Sequence, residues 1–431
     1  MELVELSEKE FEKFASKHPQ ANFYQTKEWG HLKETNHWNM HLLGLKDNKK
    51  IIAGGLLLSK KLIGKKRMFY SPRGFLIDYN NYEILKIFTQ ELKQYVKKHR
   101  GIFVKIDPNI MYQQRDLYGN IVENGENNYK AYKNLIKLGY RHLGFNLMQE
   151  ELQPRWVFIT KTKNTTVEEV MKKMDPKTRQ ILRRNERNLI KCREIDYDEL
   201  PVFKNIMQHT GDRREFIDRP LSYYQNMYKY LHDSGILKIL LAEIDANELI
   251  EKLNNDCVEL NNEYDDRKNK YENNIIKMNQ KKYEQKQKET LEQIDRAKNK
   301  IEEINKLKEQ YGEIITLGGI LFLIYGKEVV SLVGGSYKDL MEFQSAYNLH
   351  FEMLKYAIEH NYDRYNFYGI TGDFSEKNPL YGLYSFKRDF GGEVVELIGE
   401  FDLIINTPLY YLYKIAFACY HKIKQIKNKH S

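Results

Sequence analysis

A chain of 431 residues is too long for one compact core, so two domains plus an accessory element are expected. The net charge of +9 calls for an anionic partner: nucleic acid, a phosphorylated small molecule or an anionic membrane. Three well-separated cysteines (Cys192, Cys257, Cys419) exclude a disulfide framework and a zinc spacing, and no apolar run approaches the length of a membrane span.

The opening residues MELVELSEKEFEKF lack a signal-peptide pattern, which predicts a cytoplasmic protein. They read as an amphipathic helix. FYQTKEWGHLKE reads as a second helix, with Trp29 and Leu32 inward and Lys33 on its rim. HLLGLK, a turn at residues 47–50 and IIAGGLLLSKKL form a β-hairpin. RMFYSPRG adds a short strand and a turn. Residues 82–100 are a helix with Leu85, Phe88, Leu92 and Val96 on one face. GIFVKIDP is a buried strand that leaves Asp107 at its end, before Pro108, which cannot continue a ladder. A helix at 129–138 and a strand starting within 144–150 close the first half.

The second half begins with a strand at 156–160 and helices at 166–174 and 176–188. The latter helix carries Lys177, Arg179, Arg183, Arg184 and Arg187. TGDRREFIDRP leads into a helix at 220–232. LKILLAEI is a strand, GGILFLIYG and EVVSLVGGSY form a hairpin, residues 343–360 a helix, and RYNFYG a buried strand. The same order of strand, hairpin, helix and buried strand occurs in both halves, so the chain reads as a duplicated mixed α/β unit.

Between the second-half strands, residues 246–311 contain no Gly or Pro, 14 Lys/Arg and 15 Asp/Glu. Leu253, Cys257, Leu260, Tyr264, Tyr271 and Met278 recur at steps of three and four, with one polar position between the tyrosines. Ile294, Ala297, Ile301 and Ile304 do the same. This predicts an antiparallel two-helix coiled-coil arm turning near residues 279–283, whose removal leaves the body folded. The arm is nearly neutral, so the anion-binding surface belongs to the globular body. In LYGLYSFKRDFGG, Leu380, Leu383, Tyr384 and Lys387 share a helix face that Gly391 and Gly392 terminate. Lys387 either snorkels to water or is a fixed charge placed for an oxyanion. The tail after residue 401 has no acid beyond Asp402 and five lysines, a basic amphipathic helix that either docks on the body or touches an anionic membrane.

FYQTKEWGHLK, FYSPRG, FVKIDP, the arm, REFIDRPLSYY, GGSY, FYGITGDF and LYGLYSFKRDFGGEVVELIGEFDL, in this order, resemble the Fem family of non-ribosomal peptidoglycan aminoacyltransferases. The resemblance covers nearly the whole chain. It implies a mixed α/β fold of two GNAT-like domains. The first is 1–150, completed by 397–431; the second is 151–396, with the arm 246–311 inserted in it. It further implies transfer of glycine, serine or alanine from aminoacyl-tRNA, the co-substrate, to the stem-peptide amine of a peptidoglycan precursor, either lipid II or UDP-MurNAc-pentapeptide. No cofactor and no metal are expected. The motif positions assign Lys33, Arg219, Tyr223 and Tyr337 to precursor binding, the first two at phosphate. Asp107 falls near the acceptor peptide, and Lys387 at the transition state. Contact with the inner face of the cell membrane and a homo- or heterodimer are compatible with this assignment.

Two other classes compete. An acyl-CoA-dependent N-acyltransferase of the same fold would carry a [Q/R]xxGx[G/A] loop, which the chain lacks. A non-catalytic nucleic-acid-binding or scaffold protein would explain the charge and the arm but not SFKRDFGG.

Overall fold

The structure, a computed structural model, describes residues 1–147 and 152–429. The first half runs β1 (Glu2–Glu5), α1 (Glu8–Ala15), α2 (Lys27–Glu34), β2 (Asn39–Asp47), β3 (Lys50–Ile63) and β4 (Lys66–Ser71). It continues with α3 (Tyr82–Lys98), β5 (Gly101–Ile106), β6 (Met111–Gln114), α4 (Tyr129–Lys137) and β7 (Tyr140–His142). The second half runs β8 (Trp156–Lys161), α5 (Val167–Lys173), α6 (Pro176–Arg187), β9 (Lys191–Glu194), α7 (Leu200–Arg214) and α8 (Leu221–Leu231). Then come β10 (Leu237–Asp245), α9 (Ala246–Glu272), α10 (Gln280–Tyr311), β11 (Ile314–Tyr325), β12 (Glu328–Ser336) and α11 (Ala346–Glu359). The chain ends with β13 (Arg364–Gly369), α12 (Tyr381–Arg388), β14 (Glu393–Leu397), β15 (Phe401–Ile404) and α13 (Thr407–Lys429).

Among the described residues these strands make two mixed sheets, β1-β2-β3-β4-β5-β15-β7 and β6-β14-β8-β13-β12-β11-β10-β9. The repeat expected from the sequence is present in the pairing. β2, β3 and β4 form an antiparallel meander, α3 crosses over, and β5 returns parallel to β4. β10, β11 and β12 form the second meander, α11 crosses over, and β13 returns parallel to β12. A parallel neighbour requires such a crossover, whereas a meander needs only tight turns. The sheets also exchange strands. β6, from the first half, pairs with β14 in the second sheet, and β15 pairs with β5 and β7 in the first. The halves share one hydrophobic cluster, with Phe11, Trp29, Leu32 and Leu56 from the first packed with Phe203, Met227, Leu241 and Leu323 from the second.

Several elements differ from the sequence reading. The chain opens with β1 rather than a helix; four residues at a sheet edge leave too short an alternation to detect. Residues 200–214 form α7, with Leu200, Phe203, Ile206, Met207 and Thr210 buried at helical spacing. Its Gly211 hides the last turn from a propensity reading, because glycine usually weakens a helix interior. Residues 144–147 are not a strand, and the rest of that expected strand lies outside the described residues.

α9 and α10 lie antiparallel, as shown by Arg267 donating to the Gln287 and Thr290 side chains and by Tyr271 stacking on Tyr283 at 4.0 Å. The connection is 273–279, earlier than the 279–283 turn read from the heptads, so Met278 lies in the turn. The foot of this helical hairpin is not separable from the body. Ala246, Leu249 and Ile304 are fully buried in the second-half core beside Ile315 and Leu317, and Leu253, Leu307 and Tyr311 pack on it. Excision at 246 and 311 therefore removes core side chains, each worth about 2–5 kcal/mol by truncation. We expect replacement of residues 256–298 by a short flexible linker to leave a folded protein, and replacement of 246–311 to lower the melting temperature by ten degrees or more on the order of magnitude of two lost core residues. Differential scanning calorimetry of the two variants distinguishes them.

Candidate active site

Three of the sequence-predicted residues come together on a cationic, aromatic surface between α2 and α8. Thr26 caps α2 by accepting from the Trp29 N–H at 3.1 Å, which sets the helix phase. Lys33, one turn after Trp29, then places its Nζ 4.4 Å from the Trp29 ring centre and 5.9 Å from that of Tyr223. Arg219 lies 5.5 Å from the same Tyr223 ring. Asp218 does not neutralise Arg219, because it is held by Lys204 at 2.6 Å and by the Tyr224 hydroxyl at 2.6 Å. Neither Lys33 nor Arg219 has an ion-pair partner among the described residues. Burial, then the neighbouring Arg219 charge, lowers the Lys33 ammonium to about 8. Among the described residues the buried Trp29 Nε1 also has no acceptor. Two cations beside one ring make a site that an anion such as phosphate would complete.

Tyr337 follows β12 and lines a groove of about 540 Å³ with Pro201, Asn205 and Gln208 of α7 and Leu221 of α8. Its hydroxyl accepts from Asn205 Nδ2 at 3.3 Å, and its ring meets His209 edge-on at 5.1 Å. Leu221 lies between Arg219 and Tyr223 in sequence, so the groove adjoins the cationic surface.

Asp107 and Lys387 stand apart from that surface, at the seam between the sheets. Asp107 is 2% exposed. It accepts from the Arg73 main-chain N–H at 2.7 Å and from the Tyr70 hydroxyl at 3.2 Å, with the Arg73 guanidinium at 3.9 Å. Burial raises its carboxyl to about 7 against the pull of Arg73. An ordinary carboxylate is too weak a base at neutral pH; this one is able to take a proton there. Arg73 donates to the Pro154 carbonyl at 2.6 Å, and the Tyr24 and Tyr368 hydroxyls meet at 2.7 Å, both bonded to Gln153. Arg73, Tyr24, Tyr70, Tyr368 and Gln153 were not among the residues assigned from sequence. The available signal is the dipeptide Phe–Tyr, which occurs at residues 23–24, 69–70 and 367–368. Each phenylalanine is buried, and each tyrosine joins this seam.

Lys387 does not snorkel. On α12 the buried residues are Tyr384 and Lys387, while Leu383 points to solvent at 40% exposure, against the shared face read from the sequence. The Lys387 ammonium donates to the Gly369 carbonyl at 2.7 Å, and burial lowers it to about 7. His350 nearby is held neutral, pushed down to about 3 by burial and then by the Lys387 charge, and it pairs through Nδ1 with the Tyr365 hydroxyl at 2.7 Å. Gly391, with φ of 71°, ends α12; a Cβ there would meet the Lys173 carbonyl oxygen at 2.6 Å. Gly369 adjoins Tyr368, so Lys387 and Asp107 reach the seam from opposite sheets without touching. A buried ammonium bonded to a neutral carbonyl can receive an oxyanion, and a buried carboxyl near 7 can orient or deprotonate an amine. Among the described residues no group of three His, Cys, Asp or Glu could hold a metal, and no helix is long and apolar enough to cross a membrane.

The depressed Lys387 value has a consequence for stability. Between pH 7 and about 10 the unfolded lysine holds a proton that the folded one has lost, so stability rises with pH through that window. Lys387→Met should abolish this part of the rise, of the order of a few kcal/mol. Urea titrations of both proteins from pH 6 to 10 check it; parallel curves would count against the burial.

A FemAB family model matches residues 6–417. Aminoacyltransferase FemA of Staphylococcus epidermidis is 35% identical over 417 residues, covering 96% of this chain and 98% of that protein. Aminoacyltransferase FemA of Staphylococcus aureus strain N315 is 33% identical over 432 residues, spanning both chains completely. The crystal structure of FemX is similar with a TM-score of 0.78 at 28% identity, over 96% of this chain and 99% of that one.

Proposed function

The chain belongs to the FemAB family, and from that premise we propose that it is a peptidoglycan-bridge aminoacyltransferase that draws on aminoacyl-tRNA and acts on lipid II. The observation that carries this reading is the buried Lys387 ammonium, which donates to a neutral carbonyl and has no other hydrogen-bond partner among the described residues. Such a charge is costly unless something anionic forms beside it.

The reaction needs no covalent enzyme intermediate, because the donor carbonyl is already activated as an ester. The acceptor amine, once it has lost a proton, attacks that carbonyl. A tetrahedral oxyanion forms, and Lys387 offsets its charge. The C–O ester bond then breaks, the ribose hydroxyl leaves with a proton, and an amide remains. Asp107, with a value near 7, orients the acceptor ammonium and takes its proton. Lys33 and Arg219 hold the pyrophosphate, with Tyr223 and Tyr337 as walls for the sugar. Positioning supplies much of the remaining acceleration. The groove and the seam are then the two ends of one acceptor, phosphate at the first and stem peptide at the second.

The test is transfer of a radiolabelled amino acid from charged tRNA to purified lipid II or UDP-MurNAc-pentapeptide. Label in the lipid-linked product supports the reading. Transfer from an acyl-CoA but not from tRNA overturns it. Within this assay the two basic sites should separate. Arg219→Ala should raise KM for the precursor about tenfold or more with kcat nearly unchanged, since a phosphate contact is made equally in ground and transition states. Lys387→Met should lower kcat roughly a hundred- to a thousand-fold with precursor KM unchanged. Steady-state kinetics of both variants decides, and reversed effects would exchange or remove the roles.

A further inference from the structure

The helix α6 has two faces. Thr178, Ile181, Leu182 and Asn185 are buried, while Lys177, Gln180, Arg183, Glu186 and Arg187 face solvent. Lys172 and Lys173, in the last turn of α5, extend the exposed strip. Residues 172–187 thus hold seven Lys/Arg against Asp175 and Glu186. Two of the seven have structural work. Arg179 donates to the Met174 carbonyl at 2.5 Å, and Arg184 bonds Gln344 at 3.0 Å. Among the described residues the other five, Lys172, Lys173, Lys177, Arg183 and Arg187, have no carboxylate at ion-pair distance.

The strip has a fixed place. At its start, the Asp175 N–H donates to the Asp389 carbonyl at 2.8 Å, two residues from Lys387, and Lys173 lies against Gly391. In its last turn, Asn185 bonds the Phe343 carbonyl at 2.8 Å and Asn348 at 2.6 Å. At its end, the Arg187 carbonyl accepts from Lys252 at the foot of the α9–α10 hairpin at 2.8 Å. α6 therefore spans roughly 18 Å from the Lys387 helix to that foot.

We propose that the exposed face of α6, with the end of α5, is the docking surface for the duplex end of the RNA donor. This deepens the reading of an aminoacyl-tRNA substrate and rests on it. Unpaired Lys and Arg along one ridge fit a run of phosphates, which position a nucleic acid without reading its sequence. The shallow groove of A-form RNA is recognised in this way, by backbone and shape. Apart from Pro176 at its first position, the solvent face of α6 carries no apolar side chain to enter a bilayer, so a lipid surface fits it less well. Phosphates held along α6 would leave the acylated 3′ end beside α12.

The test is a Lys177→Gln, Arg183→Gln, Arg187→Gln protein, with circular dichroism as the check on folding. Fluorescence anisotropy with uncharged tRNA from 50 to 200 mM salt should show about ten- to a hundred-fold weaker binding at low salt. The slope of log affinity against log salt should be shallower by roughly two to three. In transfer assays KM for charged tRNA should rise while KM for the precursor stays unchanged, and Arg183→Lys with Arg187→Lys should retain most binding. Unchanged tRNA affinity and slope in a folded, active triple variant would overturn the docking surface and leave the proposed reaction standing. Loss of binding to phosphatidylglycerol vesicles with tRNA binding intact would reassign the strip to lipid. Strip-dependent tRNA binding in a wild-type protein that transfers nothing from charged tRNA would keep the surface and overturn the donor.

Discussion

The arrangement turns on one costly interaction: the Lys387 ammonium buried against the Gly369 carbonyl. A charged lysine in such surroundings is destabilising, and its position persists because several elements fix it at once. Gly391 lets the chain turn sharply after α12, and the α5–α6 corner closes over that turn. The parallel return strand β13 supplies Gly369 at its end. His350, kept neutral by burial, packs its ring between Phe367, Phe386 and Phe390 and adds no second charge. The lysine is thus the product of a duplicated sheet topology, a glycine stop and an apolar wall.

The seam explains why a single half would not suffice. Asp107 directly follows β5 of the first sheet, whereas Gly369 ends β13 of the second, and these are the equivalent return strands of the two repeats. Their ends are joined by hydrogen bonds through Arg73, Tyr24, Tyr368 and Gln153 rather than by apolar contact alone. A directional polar seam fixes the relative setting of the halves, because each buried hydroxyl or guanidinium group left unpaired would be costly. The cationic surface is likewise shared, with Lys33 from the first half and Arg219 and Tyr223 from the second.

Much of this was legible in the residues. Long alternations and long amphipathic helices mark the two meanders, α3 and α11, and the mixed α/β class follows from their order. The short strands β1, β7, β9, β14 and β15 span five residues or fewer, too few for a period to show, and tertiary pairing alone creates them. No periodicity links Lys33 to Arg219; only the motif resemblance sets them together. The tyrosines of the seam carry no local signal beyond their Phe–Tyr pairs, since their importance lies in which distant hydroxyl they meet. Heptad spacing locates the α9–α10 hairpin but not its foot, because a residue such as Ile304 fits the helix pair and the body core equally well.

The most direct test of the account is the protonation of Lys387 itself. Nuclear magnetic resonance titration of the folded protein with 15N-labelled lysine, with Lys387→Met used to assign the signal, reads this ammonium separately from the other lysines. The structure predicts a midpoint near 7. A midpoint above 10 would mean that the ammonium is solvated or ion-paired, and Lys387 would lose its standing as a buried charge held ready for an oxyanion.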